Sequence, residues 1–398
     1  MANARTETGL ARAKLLASAR STLHPEIWWM VVEELSESHD FDGLFLCARL
    51  NRRMAHMALR RLYGIYDLSP ACNLQICYLK GDKFEKSACL WRSLVLSSVG
   101  ETLYPYCCWI KSLKLTSFDR LFAGPPVTCR SSRARFLSSH IGKYLSSAKD
   151  RDNYYTENFD RLKRDITTEV VDKVINYIKA ASDHGDTVST LYSLQAPWFS
   201  SASLMTWAPS LSQLTSLTVD DGTVLNSDVA QAFRENCPAL KEVHYCEFQR
   251  TNDLQMAGFL RGLAPNTLES FGVVRESLDF RHSIGIESLK ALTEHASSLK
   301  RLGFYLPQAA LESLVVLSDC VSIESLTLAH EPPTQDFPHG SWGNTLQGHM
   351  SRSERILSWL RRCTHLKELK FTEIPDFGVP ELLECPERPS DKFDHQVQ

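Results

Sequence analysis

Apolar residues recur every four positions from Leu23 through Ile27 and Val31 to Leu35, with Glu26, Glu33 and Glu34 off that line. This spacing predicts one face of an α-helix. Residues 36–42 form a polar break. Leu44, Cys47, Leu50 and Met54 then recur at steps of three and four, with Arg49, Arg52 and Arg53 facing elsewhere, and predict a second helix. A third, over roughly 55–63, carries Leu59 and Leu62. Residues 21–68 therefore read as a three-helix unit, too short for a generous core of its own. Residues 1–20 are rich in Ala, Arg and Ser and have no apolar face, so they read as a flexible leader.

Beyond residue 68 a different pattern takes over. An apolar residue is followed by others three and five positions later at Trp91-Leu94-Leu96, Ile110-Leu113-Leu115, Leu191-Leu194-Ala196, Leu214-Leu217-Val219 and Leu240-Val243-Tyr245. It continues at Leu268-Phe271-Val273, Leu299-Leu302-Phe304, Ile323-Leu326-Leu328 and Leu366-Leu369-Phe371. From Leu191 the steps are 23, 26, 28, 31, 24 and 43 residues. A period of this size with a short strand and a returning helix is that of a leucine-rich repeat, with parallel strands inside and helices outside. Helical stripes fill the returns: Val229, Ala232 and Phe233; Ile286, Leu289 and Leu292; Leu311, Leu314, Val315 and Leu317; Ile356, Leu357 and Leu360. Cys107, Cys237, Cys320 and Cys363 each stand three residues before a strand's first apolar position, where a small thiol packs without a demanding hydrogen bond. The repeats span 69–380, with insertions at 116–165 and 330–350; the first ends in an amphipathic helix carrying Ile166, Val170, Val174, Ile175 and Ile178. Residues 381–398 read as a flexible tail. The fold class is thus α/β.

Composition narrows the function more than the fold. A net charge of −3 over 398 residues gives no global field for nucleic acid or an anionic membrane. Arg5, Arg12, Lys14 and Arg20 interrupt any signal-like apolar run, so the expected location is cytoplasm or nucleus. Twelve cysteines include no C-x-x-C pair, and Cys72 and Cys77 have no matching second pair, so neither a metal nor a cofactor is expected. Arg49, Arg52, Arg53, Arg60 and Arg61 sit on helices with an apolar face and read as solvated, not as a nucleic-acid footprint. Tyr154, Tyr155 and Phe159 lie among charges of both signs, a poor footprint for RNA. There is no G-x-S-x-G, H-E-x-x-H, P-loop or G-x-G-x-x-G, and no histidine is placed beside Cys107-Cys108, so the chain is expected to be non-catalytic.

The block Leu23-His24-Pro25-Glu26-Ile27, with Val31, Leu35, Leu44, Leu50-Asn51-Arg52-Arg53 and Leu62-Tyr63, resembles an F-box, especially the fungal form. It covers about 45 residues. The family usually has proline directly after the first leucine; here that place is His24 and proline follows. The later repeats resemble the leucine-rich repeats often found behind F-boxes, but Gly222, Phe248, Glu276, Pro307 and Glu331 stand where Asn or Cys is usual, which implies an irregular horseshoe. The resemblance implies a substrate-recognition subunit of an SCF-type cullin–RING ubiquitin ligase. Leu23, Pro25, Ile27, Val31, Leu35, Leu44 and Leu50 would dock the Skp-family adaptor, and through it the cullin and RING subunits that carry the chemistry. A target protein would lie on the strand positions between the leucines, including Lys111, Lys114, Lys241, His244, Lys300, Arg301, Lys367 and Lys370. Their lysines suit an acidic or phosphorylated target. The alternative is a repeat scaffold acting without the ligase.

Overall fold

The computed structural model describes residues 24–69, 82–116, 118, 121, 140–144, 159–185, 190–196, 199–247, 252–273, 284–306, 308–330, 355–356 and 358–372. The leader, Leu23, the tail and most of both expected insertions lie outside these residues. The chain divides into two compact units, Met1–Gln195 and Ala196–Gln398.

The first unit opens with α1 (Pro25–Glu37), α2 (Phe41–Ala48) and α3 (Arg52–Gly64). Pro25 sits at the start of α1, where its missing N–H costs nothing. The Asp40 side chain caps α2 by accepting from Gly43 N–H at 2.8 Å, and Asn51 caps α3 by accepting from Met54 N–H at 2.9 Å. That second cap corrects the sequence reading. The periodicity from Leu44 to Met54 runs unbroken across a turn, so it hides the end of α2 at Ala48 and places Met54 on the wrong helix. Val32, Leu44, Cys47, Met54 and Ala58 close the shared core, with Trp28, Leu35, Leu50 and Leu62 packed around it.

The same unit holds α4 (Asp82–Ser97), β1 (Ser112–Lys114), α5 (Phe159–Asp183) and β2 (Ser193–Ala196). Trp91-Leu94-Leu96 was expected to be a strand and is part of α4. Trp91, Leu94 and Val95 are buried on one helical face, a pattern that a three-then-five spacing mimics. The helix at the end of the first insertion is observed, with Ile166, Val170, Val174, Ile175 and Ile178 all buried. β1 and β2 pair in parallel, Leu113 opposite Leu194.

The second unit repeats one plan. Strands β3 (Ser216–Asp221), β4 (Glu242–Glu247), β5 (Ser270–Val273), β6 (Arg301–Leu306), β7 (Ser325–His330) and β8 (Glu368–Thr372) lie side by side in chain order. Each pairs in parallel with the next, so Leu217, Val243, Phe271, Leu302, Leu326 and Leu369 stand in one row. Between the strands run α6 (Ser201–Trp207, ahead of β3), α7 (Ser227–Asn236), α8 (Asp253–Gly262) and α9 (Ile286–Leu292). The return over Leu311–Leu317 is not an α-helix; residues 308–319 form 3-10 turns. Before β8, residues 358–362 are helical and bury Trp359 and Leu360.

The four cysteines before strands are all buried, and Cys107, Cys237 and Cys363 donate to backbone carbonyls. Cys107 Sγ meets Leu94 O at 3.1 Å, Cys237 meets Ala208 O at 3.5 Å, and Cys363 meets Trp359 O at 3.4 Å. Burial pushes the Cys107, Cys237 and Cys320 thiols up to about 12, so they are packing groups with almost no thiolate at neutral pH.

Candidate functional site

The sequence-derived candidates fall on the outer helices of the first unit and on the strand rows of each unit. The first surface is the outer side of α1 and α2. α1 is apolar on two faces. Trp28, Val32 and Leu35 turn to the three-helix core. Ile27, Met30 and Val31 turn to solvent, Met30 at 67% exposure, and Phe45 of α2 is 55% exposed. Trp29 is also exposed, with the Arg61 guanidinium 4.9 Å over its ring, and Arg61 pairs with Glu33 at 2.5 Å. A module this small that leaves so many large apolar side chains in water has a face suited to a partner.

The seven residues assigned to adaptor docking therefore divide. Leu44 is completely buried, and Leu35 and Leu50 pack on the core. Pro25 is half-buried at the head of α1. Ile27 and Val31 are on the outer face, and Leu23 lies outside the described residues. Sequence reasoning missed Trp29, Met30 and Phe45. The signal was present in Ile27-Trp28-Trp29-Met30-Val31-Val32, because a run of six apolar residues covers more of a helix than one core can use.

The second surface is the row of strand residues between the inward leucines. In the first unit Lys111 is exposed, while Lys114 pairs with Asp67 at 3.5 Å. In the second unit the expected target-binding cations other than His244 are engaged with carboxylates of the same face. Glu269 holds both Lys241 and Lys300 at 2.8 Å. Lys367 reaches Glu324 at 2.6 Å, Arg301 pairs with Glu242 across β5, and Lys370 pairs with Glu368 at 2.6 Å. The two lysines hold the Glu269 carboxyl down at about 2. The residue after each strand's first apolar position is Lys241, Glu269, Lys300, Glu324, then Lys367. This strict alternation of sign is legible in the sequence but invisible when each strand is read alone. The face is thus largely self-neutralised.

His244 lies in β4, its Nε2 3.4 Å from Ser270 Oγ of β5. Burial lowers its pKa, against the opposing pull of Glu242. Gly272 and Gly303 face each other in the next pair; a Cβ on Gly272 would meet the Gly303 carbonyl oxygen at 2.6 Å. Bare backbone is therefore required there.

His295 is a different case. It is fully buried behind the strands. Its Nδ1 accepts from Leu268 N–H at 3.5 Å, so Nε2 carries the proton and donates to Leu260 O at 3.1 Å. Burial depresses its pKa, while the Leu260 bond and Glu294 pull the other way. A depressed folded-state pKa gives stability that is present in full above the ordinary value of 6.5 and is lost as the pH falls below it. The urea midpoint of the protein is expected to fall between pH 7 and pH 5, and the fall to shrink in His295→Gln. Equal slopes in the two proteins would assign the acid sensitivity elsewhere.

A cavity of about 350 Å³ in the first unit is lined by Tyr104, Pro105, Cys108, Tyr177 and neighbours. Among the described residues no group of three or more His, Cys, Asp or Glu is placed to hold a metal ion. Among them, too, no helix is long and apolar enough to cross a membrane. No family model matches the chain. No curated protein matches it either.

Proposed function

We propose that this chain is the substrate-recognition subunit of an SCF-type cullin–RING ubiquitin ligase. In this reading α1–α3 are an F-box that docks a Skp-family adaptor, and the later strand–helix units are an irregular leucine-rich-repeat solenoid that holds the target. The observation that carries the reading is the outward apolar face of Ile27, Met30, Val31 and Phe45 on a three-helix unit whose own core is already closed. Support for the second half comes from six parallel strands in chain order with a return between each pair. The protein's part in ubiquitin transfer is to bring target and adaptor together; bond making belongs to other subunits.

The test is co-purification of the adaptor with the wild type and with a Met30→Asp/Phe45→Asp double variant. Both positions are exposed, so the helical signal and melting temperature should stay near wild type while adaptor capture drops at least tenfold, roughly 1.4 kcal/mol or more. Leu44 is unsuitable for this purpose, because a charge at a fully buried position unfolds the module and removes capture trivially. If the wild type captures no adaptor at micromolar concentrations, the repeat scaffold acting without the ligase becomes the better description.

A further inference from the structure

Among the described residues, three regularities of the second unit run through β3–β8 and stop, unfinished, at β8. The first is in the backbone. The carbonyls of Thr215, Lys241, Glu269, Lys300 and Glu324 each accept two successive N–H groups from the following strand, at 2.7–3.1 Å. The next carbonyl in the series is that of Lys367, and among the described residues it accepts none. The second is in the core. Leu217, Val243, Phe271, Leu302 and Leu326 are all buried, yet Leu369 in the same row is only half-buried. The third is in the charges. The alternation from Lys241 to Lys367 ends on a lysine that is 73% exposed and, among the described residues, has an acidic neighbour on one side only.

We propose that the open edge of β8 receives one further parallel strand, an extended target segment of the form apolar–acidic–x–apolar–x–apolar. Its acidic residue stands beside Lys367 as Glu269 stands beside Lys241. The N–H groups of that acidic residue and of the residue after it donate to the Lys367 carbonyl, as those of Glu269 and Ser270 donate to Lys241 O, and the segment's second apolar side chain covers Leu369. Strand addition of this kind takes affinity from main-chain hydrogen bonds and selectivity from alternate side chains. Lysines on a free edge discourage indiscriminate pairing, which leaves an acidic strand as the favoured occupant. The inference rests on the target-holding reading only for the source of the segment; adaptor capture is a separate measurement, so either can fail alone.

The probe is a fluorescein-labelled peptide with the sequence of residues 322–330, Ser-Ile-Glu-Ser-Leu-Thr-Leu-Ala-His, which is the chain's own strand that follows a lysine-bearing one. Fluorescence anisotropy with the full-length protein is expected to show micromolar binding. Lys367→Glu should weaken it at least tenfold, and a peptide with Lys in place of its Glu should recover most of that loss. Lys367 is exposed, so the variant's circular dichroism should match wild type. Three results overturn the proposal. Absence of binding to the wild type means the edge is closed, by residues beyond 372 or otherwise. Binding indifferent to the Lys367→Glu exchange means the peptide lies elsewhere. Concentration-dependent self-association in sedimentation, abolished by Lys367→Glu, means that the occupant is a second copy.

Discussion

Trp359→Ala lowers the stability of the second unit by about 3–5 kcal/mol, the range for truncating a fully buried large aromatic. The indole is 1% exposed, and its Nε1–H donates to Cys320 O at 3.0 Å, across to the preceding repeat. Truncation leaves a cavity and leaves that carbonyl only the weak 3.6 Å contact from Cys363 Sγ in a dry site, and each adds to the cost. Trp359→Phe keeps most of the volume and loses the hydrogen bond, so it should fall between the two. Urea unfolding followed by circular dichroism measures the order wild type, Phe, Ala. The two units need not unfold together, so the comparison belongs to the transition that shifts. A shift under about 1 kcal/mol for the Ala variant would mean that the last turn before β8 is already loose in solution.

Asp253→Ala should cost about 2 kcal/mol, and it acts on a helix other than its own. Asp253 begins α8, but its carboxylate caps α9. It accepts from Gly285 N–H at 3.1 Å, Glu287 N–H at 2.9 Å and Ser288 N–H at 3.1 Å, and from Ser288 Oγ at 2.5 Å. Gly285, the residue at the cap position of α9, has no side chain to offer, and a Cβ there would run into this carboxylate. The variant leaves three N–H groups without their acceptor, while the Ser288 hydroxyl keeps only the Asp253 backbone carbonyl at 3.1 Å. Asp253→Asn retains an acceptor oxygen but not the charge that favours a helix N-terminus, so it should lose less than the Ala variant. Hydrogen exchange localises the effect: amides of residues 286–292 should gain rate while those of β3 stay protected.

How far the sequence reached depends on whether a feature is local. Every strand of the second unit was visible, because a buried row of Leu, Val and Phe at fixed spacing is a one-dimensional signal. Helix limits were less visible. Leu50 and Met54 continue a helical period across the turn capped by Asn51, so periodicity alone fused what a hydrogen bond separates. Trp91-Leu94-Leu96 failed for the opposite reason, since one short motif fits a strand and a helix face equally. Of the residues expected to dock a partner, Ile27 and Val31 are exposed on the outer face, whereas Leu44 is consumed by the core. Telling a core leucine from a surface one requires knowing where the neighbouring helix lies, and no spacing rule contains that. The lysines of the strand face were visible as residues but their ion pairs were not, because the partners of Lys241, Lys300 and Lys367 lie 28–43 positions away, beside an adjacent strand.

The alternating charges have a consequence for how such a domain changes length. Removing the single repeat headed by Glu269 would set Lys241 against Lys300, and like charges on neighbouring strands oppose pairing where opposite ones contribute roughly 0.2–1 kcal/mol. Removing two consecutive repeats would set Lys241 against Glu324 and leave the sequence of signs intact. The stack therefore obeys a parity rule: insertion or loss of repeats is electrostatically neutral in pairs and frustrated one at a time, so the strand face records an even-numbered step in its sign pattern without any single residue encoding it.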